Sequence, residues 1–407
     1  MTNIAVAEGA SVLANPRAAG PGAPYGPARE TILDGAGFDR AEAAIRDWPG
    51  YRETPLLGLP TLASQLGLGA LQYKDESGRF GLGSFKALGG AYAVYRLIAR
   101  HIAARHGVPM PRPADILGGR YIDEVRSLTV TCATDGNHGR SVAWGAQLFG
   151  CRCVIYIHAT VSEGRRAAIA RYGAEVVRVP GNYDDSVRHA AAEAEKNGWT
   201  VVSDTTYEGY RDIPIDVMHG YGVMAREIIY QTPEPPTHVF VQAGVGALAA
   251  SVCAAFWLAW GPGRPRFTVV EPVNAACLYQ SGLAGHPVAV QGDLETVMAG
   301  LACGEVSPVA WEILAGGADA FATVDDAFAL EGMRVFAEPS GADPAIVSGE
   351  TGASGLALLL ATADNEPIRD ILRLDEGSRV LLIGSEGDTD PAIYREVVGR
   401  TADEVRR

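Results

Sequence analysis

Short apolar runs alternate along this chain with stretches in which apolar residues recur at helical spacing. Residues 127–132, Arg152–His158, 174–179, 199–203, His238–Gln242, 267–270 and 379–383 are brief and β-rich, and most are continuous rather than alternating. Runs of that kind fit strands buried on both faces, as in parallel sheets covered by helices. Between them, residues 139–149, 163–172, Tyr183–Asn197, 220–230 and Ala247–Trp260 read as helices. The alternation predicts an α/β fold, with open, mostly parallel twisted sheets flanked by helices. Residues 71–74 read as a short strand, and 55–66 as a loop with a short helix. Residues 1–28 show no period and are rich in Pro, Gly and Ala, which predicts a flexible arm.

The chain has 407 residues, too many for one ordinary core, so two domains are expected. The net charge of −14 argues against nucleic acid or an acidic membrane surface as a partner. The longest apolar run, 249–260, is too short to span a bilayer, and the start lacks the basic and apolar segments of a signal peptide. Six cysteines include no CxxC and no Cys/His pair at zinc spacing. That usage predicts a cytoplasmic protein without a structural metal.

In open parallel sheets ligands gather at the carboxyl ends of strands. One glycine-rich loop, residues 78–85, leads into Lys86, and residues 87–99 continue as a helix. A lysine at a helix start feels the positive end of the dipole, which favours the neutral amine and hence Schiff-base chemistry. The alternative is a solvated first-turn lysine. Gly244, Val245, Gly246, Ala247 and Leu248 form a strand–turn–helix junction that suits one phosphate, or else simply allows close packing. Thr134, Asp135, Gly136, Asn137 and His138 crowd another strand end. They could hold a carboxylate and supply a base, or cap the helix that follows. Ser385 is the first polar side chain after a buried strand, in an acidic turn, and Asp204 and Glu208 are either acid–base groups or loop carboxylates.

The order SFKALGG, TDGNHG, QAGVGAL, GSEGD resembles the tryptophan-synthase-β-like (fold type II) pyridoxal-phosphate enzymes. Within that group, KDESGRFGLGSFKALGGAYAV, ATDGNHGRSVAWGA, NYDDSVR, DTTYEGY, MAGLACGE and EGDTD are similar to the diaminopropionate ammonia-lyases. The resemblance runs from about Tyr51 to the C-terminus. It implies a large cofactor-binding domain, 29–96 with 228–407, and a small domain, 97–227. It also implies a homodimer acting on a small amino acid, with pyridoxal 5′-phosphate as cofactor. Lys86 then matches the Schiff-base lysine, Phe85 a ring neighbour, and Asn137 the partner of the cofactor's phenolic oxygen. Residues 244–248 match the phosphate cup, and Ser385 matches the contact to the pyridine nitrogen. Thr134, Asp135, Gly136 and His138 match substrate-binding positions. Asp135 and Asp204 match subfamily carboxylates. Cys277 and Cys303 match segments that meet near the site entrance, which implies thiols close enough to bridge on oxidation. Val245 and Ala247 replace glycines of many relatives, but backbone donors survive those changes.

The implied reaction is α,β-elimination of ammonia from 2,3-diaminopropionate, giving pyruvate and two ammonia. Lys86 would serve the L-isomer and Asp135 the D-isomer. The rival readings are a serine/threonine dehydratase, a β-replacement enzyme, an inactive cofactor-binding sensor and a nucleotide-binding α/β protein.

Overall fold

Buried β-branched strands and amphipathic helices build two compact units in the computed structural model, which describes residues 4–20, 22–134 and 136–407. The first unit comprises the described residues up to Gly35, with Glu53–Ser84 and Met224–Arg407; the second is Ala36–Arg52 with Phe85–Val223. The division thus falls just ahead of Lys86, not after residue 96. The helix Lys86–His106 lies along the helix Asn137–Phe149 of the second unit. They approach so closely that a Cβ on Gly145 would stand 2.7 Å from Ala91 Cα.

The first unit is built on an eight-stranded sheet. Its strands in chain order are β1 (Ile4–Ala7), β2 (Ala10–Ala14), β3 (Leu56–Gly58) and β4 (Ala70–Asp75). The second unit supplies β5 (Thr129–Ala133), β6 (Arg152–His158), β7 (Glu175–Val179) and β8 (Thr200–Val201). The first unit then adds β9 (His238–Gln242), β10 (Arg266–Pro272), β11 (Ala320–Val324) and β12 (Arg379–Gly384). The large sheet runs β1-β2-β11-β10-β9-β12-β4-β3. Its five central strands are parallel, and β1, β2 and β3 pair antiparallel at the edges. The small sheet, β7-β6-β5-β8, is wholly parallel. Two mostly parallel, helix-flanked sheets are what the apolar alternation predicts.

Residues 4–14 are not a free arm. Val12 and Leu13 are buried, and β2 runs antiparallel to β11 with Ala14 opposite Ala320. Asn15 then donates its side-chain amide to the carbonyls of Ala318 at 2.7 Å and Ala315 at 2.9 Å. Strands of four and five residues joined at Gly9 are too short for their alternation to show in sequence. The helix expected at 220–230 begins earlier, at Asp212, because Pro214 sits in its first turn, where a missing N–H costs nothing. The helix Ala247–Trp260 is apolar on nearly every face because it is buried in the first unit. No helix among the described residues is long and apolar enough to cross a membrane.

Candidate active site

In the second unit, β5 and β8 are neighbours, so the turns leaving their carboxyl ends lie side by side. The β8 end carries Val202 and Asp204; the β5 end carries Thr134, Gly136, Asn137 and His138. Lys86 opens its helix, as the sequence predicts, and its Nζ donates to Asp204 Oδ2 at 2.5 Å. The ammonium also lies 5.4 Å from the centre of the Phe85 ring and 5.6 Å from that of Tyr221. These two rings pack against each other at 4.6 Å, so the lysine stands on an aromatic floor. Burial pushes the Asp204 carboxyl up, but the charges of Lys86 and His138 outweigh it, and the net result lies well below the carboxylate range.

His138 bridges the two turns. Its Nε2 lies 2.8 Å from Val202 O, and a carbonyl only accepts, so Nε2 carries a hydrogen. Its Nδ1 lies 3.6 Å from Asp204 Oδ2. Thr134 Oγ1 accepts from the N–H groups of Gly136 at 3.0 Å and Gly139 at 3.1 Å. Two amides that the sequence offers to a carboxylate are thus taken by Thr134, which holds the loop as a cap does. Asp135 lies outside the described residues.

In the first unit, three adjacent strands, β9, β12 and β4, end in turns at one edge. After β9, the N–H groups of residues 244–248 donate to no backbone or side-chain acceptor among the described residues. Gly246 has φ +97° and caps the Ala247–Trp260 helix, so those amides fan out from a helix start. Gly244 and Val245 are half-buried and residues 246–248 buried, and donors without acceptors at a helix N-terminus fit an anion the size of a phosphate. After β12 comes Ser385, whose Oγ accepts from Gln242 Nε2 at 2.5 Å. After β4, the turn Glu76–Gly81 leads to Gly83, whose carbonyl accepts from Gly387 N at 3.0 Å, and Ser84 bridges to Glu386. The turn is thereby fixed to the Ser385 segment just ahead of Phe85 and Lys86.

That turn is anchored by a buried charge cluster. Arg79 grips Glu76 through Nε and Nη2, at 2.8 and 2.7 Å, and Glu227 through Nη1 and Nη2, at the same two distances. Lys74 donates to Glu227 Oε2 at 2.8 Å and to Thr54 O at 2.8 Å. Two cations meet two anions, all buried, so the cluster is neutral as a whole. Burial pushes the Glu227 carboxyl up, yet Arg79 and Lys74 bring it down to about 2.

Cys277 and Cys303 both adjoin Gly244. Cys277 Sγ lies 3.5 Å from Gly244 O, and a Cβ on Gly244 would come within 2.9 Å of Cys303 Sγ. Both are free thiols in this structure. Burial raises the pKa of the Cys277 thiol, which keeps it protonated and unreactive. Beside it, Glu271 is fully buried and accepts from the N–H groups of Leu278 at 2.8 Å and Tyr279 at 2.7 Å. Burial lifts its carboxyl from 4.5 to about 8 despite those bonds. A carboxyl raised on folding stabilises the fold below its unfolded pKa, and this contribution is lost as pH rises through the folded value. Glu271→Gln lacks the titration. The stability of the native sequence relative to this variant is therefore expected to fall between about pH 4.5 and about pH 8. Thermal melts of both proteins across that window check it, and a constant difference would mean that Glu271 titrates as it does in water.

Several members of these constellations are invisible in the sequence. Tyr221 and Glu227 carry no local signature, and Gln242, Lys74, Glu76 and Arg79 stand in motifs that do not show their partners; only the fold brings them to the lysine, the serine or the turn.

The family model of pyridoxal-phosphate dependent enzymes matches residues 48–385. The diaminopropionate ammonia-lyase of Escherichia coli K12 is 43% identical over 357 residues, which is 86% of this chain and 88% of that protein. The crystal structure of diaminopropionate ammonia lyase from Escherichia coli in complex with an aminoacrylate-PLP azomethine reaction intermediate superposes with a TM-score of 0.83. It is 39% identical and covers 96% of each chain. The D-serine complex of the Escherichia coli enzyme gives a TM-score of 0.85 at 38% identity, over 97% of this chain and 98% of that one.

Proposed function

The chain belongs to the pyridoxal-phosphate dependent enzymes, and from that premise we propose that it converts 2,3-diaminopropionate, in the D form, the L form or both, to pyruvate and two ammonia. The observation that carries the reading is the lysine: Lys86 opens its helix on an aromatic floor, with the Asp204 carboxylate on its Nζ. The identity to the Escherichia coli lyase supports the choice of substrate.

Bound pyridoxal phosphate supplies the electron sink for breaking the bond to the α-hydrogen. Lys86 holds the cofactor through its Nζ and takes the α-proton of the L-isomer. Asp204 accepts a hydrogen bond from Nζ, which orients the amine and keeps its charge balanced. Asp135 takes the α-proton of the D-isomer, and its carboxylate favours a substrate with a β-ammonium over serine. The amides of residues 244–248 would hold the phosphate, Asn137 would donate to the phenolic oxygen, Ser385 would meet the ring nitrogen, and Phe85 would flank the ring. Thr134, Gly136 and His138 shape the loop that receives the substrate carboxylate. A homodimer in the cytoplasm completes the reading, and light scattering on the purified protein tests the dimer.

Pyruvate release is expected from diaminopropionate well ahead of serine and threonine. Faster turnover of either hydroxy amino acid would favour the dehydratase reading, and no turnover with cofactor bound would favour the sensor. Asp135→Asn is expected to slow the D-isomer by about 10²–10⁴-fold, the usual worth of a general base. The L-isomer should lose less, chiefly in KM. Equal loss on both isomers would remove the two-base assignment.

A further inference from the structure

Gln242 ends β9 and is 1% exposed, as is Ser385 after the neighbouring strand β12. The Gln242 Nε2 group lies 2.8 Å from Ile383 O and 2.5 Å from Ser385 Oγ. A main-chain carbonyl can only accept, so Ile383 fixes which end of the amide faces β12. Turning the amide over would set two oxygens against each other. In the observed orientation both Nε2 hydrogens are in use, one on Ile383 O and one on Ser385 Oγ. The price is a buried Gln242 Oε1 with no partner, which a glutamine kept only for packing would avoid. Ser385 therefore accepts from Gln242, and its own hydrogen must point to a different acceptor.

We infer that Gln242 is a positioning residue that sets the polarity of Ser385, committing the hydroxyl to donate to the cofactor's ring nitrogen and so keeping that nitrogen unprotonated. The inference rests on the reading in which Ser385 meets this nitrogen. A neutral ring takes up less of the charge left by the α-proton. Expulsion of the β-amine is then favoured over the competing outcome, in which the substrate's α-amino group stays on the cofactor as pyridoxamine phosphate and the matching 2-oxo acid leaves. Neither Gln242 nor Ser385 can carry the negative charge that would hold a proton on the nitrogen.

Gln242→Glu reverses the arrangement, because a carboxylate accepts the serine hydrogen and turns a lone pair outward. Gln242→Met removes the donor at similar length and leaves the hydroxyl free to rotate. Two readouts apply to the cofactor-loaded proteins: the absorption spectrum without substrate, and the ratio of pyridoxamine phosphate to pyruvate formed from diaminopropionate. Gln242→Glu is expected to shift the spectrum and raise the ratio at least about tenfold, with Gln242→Met in between. In a Ser385→Ala background neither change should move either readout. The Met variant and this background carry the test if the Glu variant does not fold. An unchanged spectrum and ratio in folded, loaded variants would overturn the inference, as would an effect that persists without the hydroxyl. If Ser385→Ala itself changes nothing, the placement of Ser385 at the ring fails and the inference fails with it. If no variant makes pyruvate and neither does the native chain, the proposed function fails, while the substrate-free spectra still decide the role of Gln242.

Discussion

Lys86→Ala is expected to leave a folded protein that makes no measurable pyruvate from either isomer of diaminopropionate. The substitution removes the covalent attachment point and the base assigned to the L-isomer together. The base alone is worth about 10²–10⁴-fold, or roughly 3–5 kcal/mol at 1.36 kcal/mol per tenfold. Losing the attachment comes on top of that, and it affects the D-isomer equally. The fold should survive, because Asp204 keeps His138 at 3.6 Å and its side chain is 19% exposed, so it is not stranded in a dry interior. Borohydride reduction of the native protein, followed by peptide mapping, should place the pyridoxyl group on Lys86, and the variant should carry none. A pyridoxyl group on any other lysine, or turnover within tenfold of the native rate, would end the assignment.

The largest loss of stability is expected from Glu227→Ala. Glu227 takes two hydrogen bonds from Arg79 and one from Lys74, and all three side chains are almost fully buried. Removing it leaves two buried cations against one buried carboxylate, Glu76, which of the two only Arg79 contacts. Breaking a buried pair costs about 3–5 kcal/mol, a large part of the roughly 5–15 kcal/mol that a folded domain has in hand. Calorimetry should show the transition of the first unit moving down by many degrees, and the cofactor should be lost more readily because the turn Glu76–Gly81 leads to Lys86. The effect has a pH signature. With its folded pKa lowered to about 2, Glu227 stabilises the protein above its ordinary 4.5, and that contribution is lost as pH falls from 4.5 towards 2. The gap between native protein and variant should close over the same interval. A variant that melts within about 1 kcal/mol of the native chain would mean that solvent or Glu76 satisfies both cations. Replacing the whole cluster with well-packed apolar residues is a different experiment, and need not destabilise at all.

Particular residues show what the sequence makes legible. Strands such as Arg152–His158 and His238–Gln242 declare themselves because runs of five and three consecutive apolar residues fit burial on both faces. The loops leaving them follow from sheet geometry, which is why the turns holding Lys86, Ser385 and residues 244–248 can be marked before any coordinates. The partners on those turns cannot. Tyr221 reads as one more apolar residue of a helix, yet it walls the Lys86 ammonium. Gln242 reads as the last residue of a strand, and its amide acquires meaning only when β12 lies beside β9. Asp204 is one of several loop carboxylates until β8 pairs with β5 and delivers it to the lysine. The N-terminal strands fail to show for another reason: each is shorter than the window in which alternation can be told from chance.

The pairing of β2 with β11 also bears on how the chain is made. Ala14 is opposite Ala320 and Ala10 opposite Val324, so a strand near the beginning finds its neighbour more than three hundred residues later. At translation rates of roughly 5–20 residues per second, β2 waits on the order of 15–60 s with its hydrogen-bonding edge unmatched. Before that time β1 is its only sheet partner, and a two-stranded hairpin is marginal alone in water. The second unit, contained between Ala36 and Val223, can be complete while β2 is still waiting. Pairing of β2 with β11 thus comes after the whole of the second unit has been made, and until then the edge of β2 that β11 will cover is open to other partners.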